Sequence, residues 1–263
     1  MLEELREAGF DVLARNHAEA ILAVDFPDET AELVTALAGF RIPADEIVGS
    51  GGGEARSTQR LRRGLAEAGW RKHRFEMALT VDGRVKEAIT HEIDHVRWGK
   101  RGTLALEIEW NNKDPFFDRD LENFQRLHAQ SVISLGIIVT RGAALNAGMA
   151  GLVAGFLREQ GVADAEALMG FGMKRRTDRQ VQAVERLVAG GAEFAEAFGR
   201  TFVADKFGQA TTHWKKLEDR VRRGVGNPCP LLLLGLPASV VGEMPQPTAE
   251  PDLLGAPLSA PNT

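Results

Sequence analysis

Apolar residues recur at a spacing of three to four positions through most of the first 50 residues, and this pattern predicts helices there. The spacing changes to two over residues 75–81, which predicts a strand, and the Asp82-Gly83 pair that follows is a hairpin turn signal. We expect the return strand to end near Asp94 and residues 95–102 to form a turn. The pattern therefore places a β region after a helical N-terminal part.

A second alternating segment, residues 103–110, begins the part of the chain that we expect to form the centre of the fold. Its apolar positions face one side of a strand, whereas Glu107 and Glu109 project from the other side. Asp118 is placed to cap a helix of about a dozen residues, and the apolar residues 132–140 then predict a strand covered on both faces. Strand, helix and strand together predict a βαβ unit with a right-handed crossover.

The remaining residues are predicted to be mostly helical, with one short strand and a tail. We expect helices at 143–160, 163–168, 178–189 and 193–198 and a strand at 229–235. Five prolines and little apolar mass predict that residues 242–263 form a disordered tail. Residues 1–241 are then one domain, with an N-terminal helical part (1–53), a core (54–141) and a helical C-terminal part (142–241).

Charge is distributed unevenly along the chain. The net charge is −5 at pH 7, but residues 1–54 carry −9 and residues 241–263 carry −3, which leaves +7 for residues 55–240. A segment with such a positive excess is where a polyanion such as nucleic acid would be bound.

Cysteine content and hydropathy indicate the setting in which the protein works. Cys229 is the only cysteine of the sequence, so neither an intramolecular disulfide nor a cysteine-based zinc site is possible. The first residues lack the basic and apolar regions of a signal peptide. The two longest uncharged runs, of 19 and 16 residues, include polar residues or prolines and cannot span a membrane as helices. We therefore expect a cytoplasmic protein with no membrane segment.

Three acidic residues in the central part have a pattern typical of a metal site. Glu107 and Glu109 share a strand face, and Asp94, at the end of the preceding antiparallel strand, can lie beside them across the hairpin. Three carboxylates on one face repel one another unless a cation lies between them, and Mg²⁺ is a hard cation that prefers oxygen ligands. The alternative is a merely solvated strand face. We favour the metal site because the strand lies inside a βαβ core and because the loop beyond it is rich in groups suited to nucleic acid.

Asp94 followed by Glu107-Ile108-Glu109 resembles the metal-binding motif of PD-(D/E)xK nucleases, with Glu109 where most of the superfamily has lysine. Further segments resemble the BglII family of type II restriction endonucleases, namely 17–22, 51–54, 93–96, 107–121 and 136–141. This resemblance covers roughly residues 15–235. It implies an α/β (α+β) fold, in which a restriction-endonuclease-like core with a mixed central β-sheet flanked by helices carries extra N- and C-terminal helices.

The resemblance also implies roles for the acidic residues. Asp94 and Glu107 would bind Mg²⁺ directly, together with the backbone carbonyl of Ile108, and Glu109 would orient or deprotonate the attacking water or bind a second metal. Glu54, at a helix N-terminus, resembles the additional acid that several such nucleases bring to the metal site. The 12 residues between Asp94 and Glu107 form a longer gap than the family pattern has, which we assign to the turn before the central strand. The implied products carry a 5′-phosphate and a 3′-hydroxyl.

Asn111 and Asn112 follow the predicted metal strand, where the resemblance places residues that read bases. An asparagine can form two hydrogen bonds with adenine in the major groove, and the alternative is an Asn-Asn turn that satisfies its own backbone. Lys113 and Arg119 are expected to contact phosphates, which position DNA without specifying its sequence. Arg141 could contact a phosphate, contact a guanine or pair with an acid. A further candidate clamp for the DNA backbone consists of Thr212, His213 and Lys215.

Together, these expectations predict a Mg²⁺-dependent type II restriction endonuclease that cuts a short palindromic site in double-stranded DNA. A palindrome implies a two-fold symmetric homodimer, and a restriction enzyme requires a cognate methyltransferase that protects the host DNA. The resemblance suggests a site centred on GATC. The alternatives are another PD-(D/E)xK nuclease for repair or structure-specific cleavage, a DNA-binding module that has lost its metal, and a helical interaction protein.

Overall fold

Six strands form one mixed sheet in the computed structural model, which describes residues 1–49, 54–173 and 175–242. The strands are β1 (Asp11–Arg15), β2 (Arg71–Val81), β3 (Arg84–Trp98), β4 (Thr103–Glu109), β5 (Leu135–Arg141) and β6 (Leu231–Leu236). Their order across the sheet is β1-β6-β5-β4-β3-β2. The central strands β4, β5 and β6 are parallel to one another, and the other pairings are antiparallel. This mixed sheet confirms the predicted fold class.

Helices cover both faces of the sheet. Those in the described ranges are α1 (Leu2–Glu7), α2 (Ala18–Asp25), α3 (Pro27–Ala38), α4 (Ala44–Val48), α5 (Arg56–Glu67), α6 (Phe116–Ala129), α7 (Ala143–Glu159), α8 (Asp178–Ala189), α9 (Phe194–Lys206) and α10 (Trp214–Arg222). The buried apolar residues form two clusters. The larger cluster joins one face of the sheet to α1–α5 and α7–α9, and the smaller joins the other face to α6 and α10. The chain is thus arranged in three layers.

Two local features of the sequence lie at element boundaries, and the first of them was predicted. Asp82 and Gly83 have φ angles of 51° and 73°, and this left-handed pair forms the two-residue turn between β2 and β3. Pro27 occupies the first turn of α3, where its missing N–H costs no hydrogen bond. Both signals act through the backbone of their own residues, so they do not depend on distant contacts.

The return strand of the hairpin is longer than the sequence predicted. β3 continues to Trp98, and its last four residues, from His95 onward, pair with β4. The turn is confined to the residues after it, where the Gly99 N–H donates to the carbonyl of Gly102 at 2.8 Å. The prediction of a turn over residues 95–102 was therefore wrong in its first half. This strand extension accounts for the long gap between the first two predicted metal ligands.

β4, α6 and β5 form the predicted βαβ unit at the centre of the sheet, with β4 and β5 parallel. Ala105 of β4 belongs to the smaller apolar cluster, on the side of the sheet that α6 covers, so Glu107 and Glu109 project toward α6. Gly136 of β5 allows α6 to lie close to the sheet, because the ring of Phe124 occupies the space that a Cβ would need. The same close approach brings the polar residues of α6 to the glutamates.

The N-terminal part contains a strand that its sequence did not predict. β1 pairs antiparallel with β6, from Asp11 opposite Gly235 to Arg15 opposite Leu231. Five residues give too short a pattern to identify a strand, and the partner lies at the far end of the chain. This assignment required knowledge of a contact that only the tertiary structure provides.

Three predictions for single segments were wrong. Asp118 does not cap α6, because the helix begins at Phe116 and Asp118 lies inside its first turn. Residues 163–168 do not form a helix, and a 3₁₀ turn at Ala167–Phe171 follows instead. The helix α10 was not predicted at all, although it contributes Leu217 to the smaller apolar cluster.

Cys229 is fully buried, and burial raises the pKa of its thiol to about 12, which keeps the thiol protonated.

Within the described ranges, no helix combines the length and apolar composition that a membrane crossing requires. Residues 50–53 of the glycine-rich break and the tail from residue 243 onward lie outside the described residues.

Candidate active site and DNA-binding surface

Two glutamates of β4 form the centre of the candidate site. Glu107 and Glu109 have only 3% and 2% of their surface exposed. Burial raises the pKa of Glu107 well above its usual value, and the negative charges of Asp120 and Asp94 raise it further. Burial also raises the pKa of Glu109 to about 8, again with a contribution from Asp120. Perturbed carboxyl groups of this kind are typical of functional sites.

Asp120 on α6 is a member of this cluster that the sequence predictions missed. It is fully buried, its Oδ1 accepts a hydrogen bond from Nε of Arg119 at 2.9 Å, and its Oδ2 has no hydrogen-bond partner. Burial raises the pKa of Asp120. One signal could have identified it, because Asp120 interrupts the apolar stripe formed by Phe117, Leu121 and Phe124. An acid on the buried face of a helix requires a partner or a function.

Asp94 lies beside Glu107, on the neighbouring strand β3. Its backbone N–H is 3.4 Å from Oε1 of Glu107. Its side chain, however, is 53% exposed, and its carboxylate pairs with Nζ of Lys72 at 3.4 Å. The hairpin therefore brings Asp94 next to the buried glutamates, while Lys72 of β2 holds the carboxylate on the solvent side.

The chemistry of the donor groups fits Mg²⁺. Asp94, Glu107, Glu109 and Asp120 offer only oxygen atoms, which hard divalent cations prefer, and Oδ2 of Asp120 is buried without a partner. In the described part of the chain, however, no three acidic, histidine or cysteine side chains converge as a ready-made metal site. Joint coordination by Asp94 and Glu107 therefore requires the Asp94 carboxylate to turn away from Lys72.

Glu54 begins the segment that leads into α5, immediately after the residues that the structure does not describe. Its carboxylate pairs with Nη1 of Arg62, in the second turn of α5, at 3.0 Å. Arg62 in turn lies near His95 of β3, where its charge adds to the effect of burial in lowering the pKa of the histidine. Glu54 thus lies on the β3 side of the site, but its carboxylate is engaged with Arg62.

The loop after β4 is paired with the loop before α10. The Asn112 N–H donates to Oγ1 of Thr212 at 3.1 Å, and the Thr212 N–H donates to the carbonyl of Asn112 at 2.9 Å. The exposed side chain of Asn112 donates to Oε2 of Glu109 at 2.7 Å. Asn111 instead donates to the carbonyl of Lys206 at 3.1 Å and is partly buried. These hydrogen bonds join the two loops, and Asn112 is the asparagine whose side chain is exposed and also contacts the site.

Arg141, Thr212 and His213 do not lie on the surface, so they are not exposed for the DNA contacts that we expected of Thr212 and His213 and left open for Arg141. Arg141 and Thr212 are fully buried, and His213 is 6% exposed. The Arg141 guanidinium donates to the carbonyl of Thr212 at 2.7 Å and to Oγ1 of Thr211 at 2.7 Å, and burial lowers its pKa to about 10. Arg141 therefore supports the paired loops from below, whereas Lys113 and Lys215 are exposed.

Arg220 of α10 fixes this helix to the loop and to α6. Its guanidinium donates to both carboxylate oxygens of Asp118, at 2.8 and 2.9 Å, and lies 3.4 Å from Asp114. Arg220→Ala should lower the free energy of unfolding by about 1–2 kcal/mol, because the two hydrogen bonds from a nearly buried guanidinium to Asp118 are lost, while Asp114 keeps its pair with Lys216 at 3.2 Å. Arg222→Ala is the control, since the side chain of Arg222 is 67% exposed, and should cost less than about 0.5 kcal/mol in urea unfolding. Equal losses in the two variants would contradict the anchoring role of Arg220.

A comparison with known protein families identifies the family of this chain. A comparison with curated protein sequences gave no match. The family described as restriction endonuclease BglII/BglIII matches residues 10–236, which include β1, the whole central sheet and every residue of the candidate site. The match thus extends over most of the 263 residues. The chain therefore belongs to the BglII/BglIII family of restriction endonucleases.

Proposed function

We propose that the protein is a type II restriction endonuclease that hydrolyses phosphodiester bonds at a short palindromic site in double-stranded DNA and requires Mg²⁺. The main support is a direct contact between a residue suited to base recognition and a residue suited to hydrolysis. Asn112, in the loop suited to reading bases, is hydrogen-bonded at 2.7 Å to Glu109, in the cluster suited to hydrolysis. Family membership supports DNA as the substrate.

The proposed chemistry assigns one task to each group. Asp94, Glu107 and the backbone carbonyl of Ile108 would hold Mg²⁺, which when bound would neutralise charge on the phosphoryl oxygens and lower the pKa of water. Glu109 in its ionised form orients the attacking water and accepts its proton, and the hydrogen bond from Asn112 at 2.7 Å holds the Glu109 carboxyl group at the site. Glu54 supports the site from the start of α5. The water oxygen joins phosphorus, the bond between phosphorus and the 3′ oxygen breaks, and the 3′ oxygen takes a proton from solvent to leave as a hydroxyl group.

The proposal includes the partners and the extent of the enzyme. Residues 1–241 form one endonuclease domain, which acts as a homodimer because a palindrome presents the same scissile bond on each strand. Lys113, Arg119 and Lys215 contact the DNA backbone, in line with the charge of +7 over residues 55–240. A cytoplasmic location and a cognate methyltransferase follow from the same activity, because the enzyme must meet invading DNA while the host DNA is protected.

Digestion of plasmid DNA tests the proposed function. The purified protein should produce discrete fragments with Mg²⁺ and no cleavage with EDTA. A smear of fragments would instead identify a nonspecific or structure-specific nuclease of the same superfamily. A gel shift without any cleavage, unchanged by Asp94→Ala, would identify a DNA-binding module and overturn the proposal.

Asn112→Ala should reduce sequence discrimination more than it reduces nonspecific DNA affinity. A lost bidentate contact to one base costs about 1–3 kcal/mol of discrimination, whereas nonspecific affinity depends on phosphate contacts. The ratio of cleavage rates on the preferred site and on sites with one changed base measures the effect. Lys113→Ala is the contrasting control and should weaken binding to all sequences by a similar factor. An unchanged cleavage pattern in the Asn112 variant would count against base reading by this residue.

A further inference from the structure

Arg119 has an unusual position for a half-exposed arginine. It lies on α6 with 51% of its side chain exposed, and its guanidinium is stacked over the Phe116 ring at 4.3 Å. Its donors nevertheless point inward. Nε and Nη2 lie 2.9 and 2.8 Å from Oδ1 of Asp120, and Nη2 lies 3.7 Å from Oε1 of Glu109. The stacking and the two Asp120 contacts fix the guanidinium at the edge of the buried acids.

Asp120, which contacts Arg119, is a carboxylate in a position where burial is energetically unfavourable. Its carboxylate is completely buried, and only one of its two oxygens has a hydrogen-bond partner. Burial of a carboxylate with an unsatisfied oxygen is destabilising, and the flanking positions of the same helix face are apolar. Asp120 lies close enough to Glu109 for each carboxyl group to influence the pKa of the other, so the unsatisfied oxygen belongs to the acidic cluster. A buried carboxylate with a free oxygen suits a group that binds a cation.

The charges around the acidic cluster show which basic side chain lies against the buried acids in this structure. Glu107, Glu109 and Asp120 are three acids buried on one side of β4. Among the residues that the structure describes, Arg119 is the one basic side chain within 4.0 Å of Glu109 or Asp120, and none lies that close to Glu107. Asp94, on the solvent side, is paired separately with Lys72. Arg119 is therefore the counter-ion that the described residues offer to Asp120 and, when it is ionised, to Glu109.

We propose that Arg119, held in place by Asp120, is an internal counter-ion of the acidic cluster and competes with a divalent cation for its carboxylates. This inference rests on the proposed function, since it concerns the same site. Without a divalent cation, Arg119 compensates Glu109 and Asp120 and keeps the cluster folded. A divalent cation that enters the cluster repels the guanidinium, so binding of the cation and the inward position of Arg119 oppose each other.

Titration with Ca²⁺, followed by isothermal calorimetry on the full chain without DNA, tests the competition. Arg119→Gln removes the competing charge and should bind Ca²⁺ about five- to tenfold more tightly than the parent protein, as expected for a unit charge removed at a few ångströms. Arg119→Lys keeps the charge and should stay within about twofold of the parent. Arg126→Gln is the matched control, because Arg126 is an exposed arginine of the same helix paired with Glu122, and should also stay within about twofold.

A second measurement addresses the loss of folding that Arg119→Gln could cause. Thermal unfolding of this variant should begin at a lower temperature than that of the parent in EDTA, and added Ca²⁺ should recover more of the difference than it does for Arg126→Gln. Unchanged or weaker Ca²⁺ binding by Arg119→Gln, together with weaker DNA binding, would overturn the inference and leave Arg119 as a phosphate contact only. Failure of the proposed function has a different signature, because Glu107→Ala would then bind Ca²⁺ as tightly as the parent.

Discussion

Glu107→Ala should abolish DNA cleavage and leave DNA binding within a few-fold of the parent protein. Glu107 is the most deeply buried of the proposed metal ligands, and it lies between Asp94 on β3 and Asp120 on α6. Loss of the carboxylate removes a ligand from the cation that stabilises the developing phosphoryl charge, and the cleavage rate should fall by about 10³-fold or more. Binding should persist because phosphate contacts are distributed over many residues.

Rates of cleavage under single-turnover conditions and gel shifts in Ca²⁺ measure the two effects separately. Glu122→Ala is the matched control, since the side chain of Glu122 is 57% exposed on α6 and, among the residues that the structure describes, pairs only with Arg126. This control should cleave at the parental rate. Cleavage by Glu107→Ala at more than about a tenth of the parental rate would contradict the assignment of Glu107 as a metal ligand.

Glu109→Gln should make the protein more stable in alkaline solution without divalent cations. The pKa of Glu109 is about 8 in the folded protein, against 4.5 for a free glutamate side chain, because burial and the charge of Asp120 oppose ionisation. A group with a raised pKa binds its proton more tightly in the folded state. Its contribution to stability is therefore complete below about pH 4.5 and is lost as the pH rises through about 8.

The difference between the two proteins should grow accordingly. Near pH 5 the free energies of unfolding should be similar. Near pH 9 the Gln variant should be more stable by about 2–5 kcal/mol, the free energy that corresponds to the rise in the pKa of Glu109. Denaturant unfolding in EDTA at the two pH values gives the comparison. The same stability difference at both pH values, or a less stable Gln variant near pH 9, would show that Glu109 is not held in a desolvated, proton-binding state.

The local features of the site were predictable because they depend on residues close together in the sequence. The alternation over β4 places Glu107 and Glu109 on one face, the Asp82-Gly83 turn folds β3 back, and the apolar segment after α6 predicts the parallel neighbour β5. These signals come from side-chain periodicity and backbone preference, which act within a few residues. The sequence by itself therefore determined the fold class, the strand that carries the acids and the family resemblance.

Contacts between distant segments decided the rest. Asp120 joins the acidic cluster because α6 packs closely on the sheet at Gly136, and Arg141 is buried because it supports the paired loops around Asn112 and Thr212. A periodic pattern places a residue on a face of its own element but does not identify the neighbour across the interface. The environment of a buried charge is set by that neighbour, and for this reason the protonation, pairing and exposure of the site residues were decided only by the tertiary structure.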